Sequence, residues 1–105
     1  MAKYNSFEEM EVYQKALLFG VKVYKLTLTN EKIAKDYGLK DQLQRAVLSI
    51  SNNIAEGFEG KTKKELIRFL YISKGSVGEC RNMFNFLQFL GYINEEIYTN
   101  TEMMF

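Results

Sequence analysis

The sequence predicts an all-α, antiparallel up-down four-helix bundle with a short or truncated fourth helix. Three observations carry that expectation. The 105 residues contain no proline, the residue that most effectively breaks helices. Apolar residues recur in steps of three and four through three long stretches. Two Ser/Thr-x-x-Glu signatures stand where helices should begin. A chain of this length makes one domain, residues 1–105, with one core.

The first helix is expected to open at Ser6-Phe7-Glu8-Glu9, read as a capping box. Glu8 and Glu11 suit the positive end of the helix dipole. Met10, Tyr13, Leu17, Val21, Tyr24 and Leu28 then form one apolar stripe, and Val12, Ala16, Phe19, Val23 and Leu26 form an adjacent one. A single packing partner does not need both, so this helix is either central or also touches another subunit. Residues 29–38, with Asn30 and Gly38, read as a connection with room for a short helical turn.

The second helix is expected over about 39–58, with a core line of Leu43, Ala46 or Val47, Ile50, Ile54 and Phe58. Gly57 and Gly60 bracket its end, where a left-handed cap is expected. Thr62-Lys63-Lys64-Glu65 is a second capping box and opens the longest helix, to about residue 90. Its core face is Leu66, Leu70, Ser73, Val77, Cys80, Phe84 and Leu87. Gly75 and Gly78, with Ser73 and Ser76, read as a site of close helix approach. Gly91 ends the helix, and Asn94, Glu95 and Glu96 start a last segment of about three turns. Short connections favour antiparallel neighbours.

Two sets of polar residues are candidate sites. Arg45, Ser49, Asn53 and Glu56 lie along the second helix, and Glu79 lies with Arg68 on one face of the third. Folding the two helices together about residues 59–62 sets Arg45 near Glu79 and Glu56 near Arg68, a polar seam that would fix the register. The competing reading is a ligand or RNA pocket around Arg45, Asn53 and Glu56. The second set is Lys61, Lys63, Lys64 and Arg68, with Tyr71 following at the next helical step. Cations beside an aromatic can grip phosphates and stack a base; a plainly solvated lysine cluster is the alternative.

Catalytic chemistry has no support. The absence of histidine removes Ser-His and Cys-His pairs and most zinc sites, and one cysteine cannot complete a Cys-rich metal site, so no metal or cofactor is expected. No phosphate-cradling glycine loop occurs. With 14 basic and 13 acidic residues the net charge is +1, so nucleic-acid binding would need a local patch rather than a global field. No apolar run is long enough to span a bilayer, no signal peptide is visible, and the lone Cys80 fits a reducing compartment; the expected location is cytoplasmic.

Arg45-Ala46-x-x-Ser49-Ile50-x-x-Asn53-Ile54-Ala55-Glu56-Gly57, followed by Arg68-Phe69-Leu70-x-Ile72-x-x-Gly75-Ser76-x-x-Glu79, resembles the 23S rRNA intervening-sequence protein family. Phe7 to Ala16 and Val23-Tyr24-Lys25-Leu26 resemble its first helix, so the likeness spans roughly residues 7–93. The resemblance implies a four-helix bundle with no established enzymatic activity. It further implies a homo-oligomer, a pentamer, associated with RNA or an RNA–protein complex such as the ribosome. A protein-binding scaffold with no nucleic-acid role is the alternative. Family members continue through a longer fourth helix, whereas this sequence stops at Met103-Met104-Phe105.

Overall fold

A computed structural model describes residues 4–102. A 3-10 turn at Phe7–Glu9 precedes five helices: α1 Glu11–Thr29, α2 Glu31–Lys35, α3 Tyr37–Glu59, α4 Lys63–Phe89 and α5 Glu95–Glu102. α2 is the short turn within the first connection. The other four make the up-down bundle, in which α3 packs along both α1 and α4, and α5 folds back against α1 and α4. The apolar sequence end at 103–105 lies outside the described residues.

The first capping box does not form. Ser6 makes no side-chain cap, and Met10 is extended (φ −71°, ψ 127°), so α1 begins at Glu11 rather than at Phe7. The Glu9 carboxylate instead accepts from the Asn5 amide at 3.3 Å. Phe7 sets its ring edge-on to Tyr13, with centroids 4.9 Å apart. That packing holds the 3-10 turn against the start of α1 in place of a continuous helix.

The other two expected helix starts are capped, and α3 begins at Tyr37, two residues earlier than expected. Thr62 Oγ1 accepts from the Glu65 amide at 3.1 Å, and Asn94 Oδ1 from the Ile97 amide at 2.8 Å. Asn30 Oδ1 caps α2 at the Ile33 amide, and Asp36 Oδ1 caps α3 at the Leu39 amide. These two caps also tie the far end of the bundle together. Asn30 Nδ2 donates to the Tyr92 carbonyl at 2.9 Å, and the Tyr92 hydroxyl donates to Asp36 Oδ2 at 3.0 Å. The bond to Asp36 is the first cause holding the Tyr92 phenol above its usual pKa.

The core runs through Phe19, Val23, Ile33, Leu43, Ile50, Ile54, Phe84 and Leu87, all buried. α3 and α4 therefore use the faces their periodicity marks, except at the end of α3, where Gly57 is buried and the expected core residue Phe58 is only half-buried. On α1 the second stripe wins: Ala16, Phe19 and Val23 are buried, whereas Leu17, Val21, Tyr24 and Leu28 remain exposed. Thr27 is fully buried beside them. Its hydroxyl donates to the Tyr24 carbonyl and accepts from Gln44 Nε2 at 2.9 Å, which pins α1 to α3 with a polar link.

The glycines exchange their expected roles. Gly60 is extended (φ −65°, ψ 158°), and among the described residues only Gly91 (φ 77°) is left-handed. Gly57 is buried inside α3, where an added Cβ would come 3.0 Å from Phe69 Cβ and 3.3 Å from the Leu66 carbonyl oxygen. The close approach of α3 and α4 is made here. At Gly75 and Gly78 a Cβ would meet nothing within 4 Å. Of the small residues in mid-α4, only Ser73 and Ser76 face α3.

Candidate functional site

The polar seam is smaller than its sequence pattern. Its bonded centre is Ser49, which receives the Ser76 hydroxyl at 2.9 Å and the Asn53 amide at 2.9 Å; Asn53 also reaches the Ser49 carbonyl at 2.7 Å. Ser73, buried nearby, donates to the Ile50 carbonyl at 2.9 Å. This links α3 to α4 through short hydroxyls, which suits helices that lie close together. The charged members stand outside it. Arg45 pairs with Asp41 on its own helix at 3.0 Å, not with Glu79, and Arg68 lies over the Phe69 ring at 4.9 Å, not against Glu56. The expected Arg45–Glu79 and Glu56–Arg68 pairs do not occur. Each arginine has a nearer partner on its own helix, and the Arg45 pair is so exposed that it contributes at most about 0.5 kcal/mol.

Lys61, Lys63, Lys64, Arg68 and Tyr71 are all exposed at the amino end of α4. Glu65 is committed to the turn, accepting from the Lys61 amide at 3.2 Å. No ion pair among the described residues engages these four cations. At 100° per residue, Lys64, Arg68 and Tyr71 share one face, while Lys63 projects from the side. The arginine stacked on Phe69 keeps most of its donors free for an oxyanion. Tyr71 and Lys74, with Ile67 and Leu70, line a shallow depression of about 220 Å³. Lys74, one turn beyond Tyr71, is therefore part of this edge. Its i+3 spacing from Tyr71 was the available sequence signal.

A larger groove of about 540 Å³ has an apolar floor of Val12, Ile54, Leu70 and Val77, with Lys74 and Arg81 also lining it. Ser73 lines it too, with its hydroxyl donated to the Ile50 carbonyl, and among the described residues no carboxylate or cysteine lines the groove beside it as a base or nucleophile. Cys80 is fully buried, and burial first, then the neighbouring Glu79 charge, pushes its thiol up to about 12. At neutral pH it is a protonated core side chain. Among the described residues no three His, Cys, Asp or Glu side chains converge as metal ligands, and no helix is long and apolar enough to cross a membrane.

The family model of the 23S rRNA-intervening sequence proteins matches residues 8–105. Among solved structures, the chain is similar to a protein of unknown function from the S23 ribosomal protein family of Bacteroides thetaiotaomicron. The identity is 25% and the TM-score 0.79, over 89% of this chain and 86% of that one. No curated protein matches.

Proposed function

We propose that this chain, which belongs to the 23S rRNA-intervening sequence protein family, is a non-enzymatic subunit of a homo-oligomer, a pentamer, that holds RNA by its phosphates along the amino end of α4. The observation that carries the RNA reading is the set of exposed cations Lys61, Lys63, Lys64 and Arg68, free of intrachain ion pairs among the described residues and set beside the exposed Tyr71 ring. Such an edge positions a phosphate backbone without reading sequence. With a net charge of only +1, one copy holds RNA weakly. Repetition of the edge around an oligomer supplies avidity. Exposed Leu17, Leu28, Leu48, Phe86 and Phe89 support the assembly.

Retention of a single-stranded RNA at low salt should fall at least tenfold on combined Lys63→Glu and Lys64→Glu. The logarithmic salt dependence should flatten by about 0.7 for each phosphate that is no longer neutralised. Unchanged retention would instead favour the second reading, a protein-binding scaffold with no nucleic-acid role. That reading draws on the balanced charge and the extent of exposed apolar surface.

A further inference from the structure

The backbones of α1 and α4 do not pack on each other, because α3 lies against both. A cleft therefore runs between them, and a helix fills it over part of its length. At one end α5 is seated there. The Tyr98 hydroxyl donates to Asn85 Oδ1 of α4 at 2.8 Å, and Lys22 of α1 donates to the Asn100 carbonyl at 3.0 Å. The groove of about 540 Å³ continues the same cleft over Val12, Ile54, Leu70 and Val77. It reaches Arg81, about one turn short of Asn85 on the same side of α4.

The groove has an apolar floor and a cationic wall. Lys74 and Arg81 stand two turns apart on that wall, about 10.5 Å along α4. Both are exposed, and neither makes an ion pair among the described residues. Lys63, about three turns before Lys74, extends the row on the same side. The other charges of α4 are turned away: Glu65, Arg68 and Glu79 lie about 120° or more round the helix from Lys74. On α3, Glu56 and Glu59 lie about as far round from Ile54. Glu11, near the rim on α1, pairs with Lys15 at 3.9 Å. The groove thus offers apolar contact and unopposed positive charge.

Val12, Lys74, Gly78 and Arg81 are all exposed, so the groove is open along its length. Whatever lies in it keeps one face in water and rests the other on the floor. An amphipathic helix has that division, and α5 shows that this cleft accepts one. Gly78, between the two cations, leaves room for close approach, since even a Cβ there meets nothing within 4 Å. We infer that the groove seats an acidic amphipathic helix of a partner protein. Its apolar stripe lies on Val12, Leu70 and Val77, and two carboxylates seven residues apart meet Lys74 and Arg81. This contact needs neither RNA nor a second copy of the chain.

The probe is a stapled helical peptide of about four turns, with a leucine stripe flanked by two glutamates seven residues apart. Fluorescence anisotropy against the full chain should show saturable binding at micromolar concentration. The same peptide with lysines in place of the glutamates should bind at least about tenfold more weakly at low salt. Gly78→Trp sets an indole in the groove without changing its charge, and should abolish binding. Lys74→Glu with Arg81→Glu should reverse the preference between the two peptides, with helical circular dichroism as the check on folding. Absence of binding, the result if a second copy already covers the groove, would overturn the inference. Equal binding of the two peptides, or binding that Gly78→Trp leaves intact, would overturn it as well. If the double charge variant loses RNA retention and the glutamate peptide does not bind, the two cations belong to the RNA edge instead.

Discussion

Gly57→Leu is expected to destabilise the bundle by about 1–3 kcal/mol or more, one of the largest effects of any single substitution here. Even a Cβ at this position meets Phe69 Cβ at 3.0 Å and the Leu66 carbonyl oxygen at 3.3 Å. Neither neighbour is the free end of a flexible chain, so α3 and α4 must separate to admit a larger side chain. Separation would also stretch the Ser73–Ile50 and Ser76–Ser49 hydrogen bonds farther along the same pair of helices. The matched comparison is Gly78→Ala, on exposed α4 surface where a Cβ meets nothing. There the helix propensity of alanine should dominate and stabilise by up to about 1 kcal/mol. Urea denaturation at fixed protein concentration checks both. Equal effects of the two substitutions would contradict the assignment of the close approach to Gly57.

Leu87→Ala should cost about 2–5 kcal/mol, through reduced burial and the cavity left behind. Leu87 is wholly inaccessible and belongs to the same core as Val23, Leu43 and Phe84, so collapse around the gap requires more than one helix to move. For a domain near 100 residues this corresponds to a fall in Tm of about 10 °C or more. Leu90→Ala, three residues on and half exposed, should change Tm far less. Melting curves recorded at one protein concentration separate this core effect from any change in assembly. A small effect at Leu87 would contradict the placement of the core.

Much of this fold was legible in the residues. The α3 core line and the α4 core face follow their periodicity directly, and the caps at Thr62 and Asn94 are local chemistry that needs no tertiary information. The choice between the two stripes on α1 was not legible, since either satisfies a helical period; only the neighbours of Ala16, Phe19 and Val23 decide it. Glycine roles escaped for the same reason. A small residue allows close approach but does not state where approach occurs, and Gly57 differs from Gly75 only in what lies opposite.

The sites divide in the same manner. Ser49 and Asn53 carry the bonded part of the seam, while Arg45 and Arg68 find partners within their own helices, a choice that helical spacing alone does not resolve. The cations at the start of α4 were legible because they lie together in the sequence. Lys74 stands apart from that run, and only its i+3 spacing from Tyr71 on the expected helix marks it as part of the same edge. At high pH, Cys80 adds a further consequence of packing. Its thiol stays protonated in the folded chain when the unfolded chain ionises, so its contribution to stability declines as pH rises from 9 toward 12.

A single chain leaves apolar helical faces uncovered on α1 and α4, and their burial between copies is the centre of the proposed function. Light scattering of the wild-type chain at micromolar concentration tests this most directly. The expected result is an assembly whose mass is a multiple of the 12.3 kDa chain, five-fold for the proposed pentamer. A species of 12.3 kDa under those conditions would contradict the homo-oligomer reading.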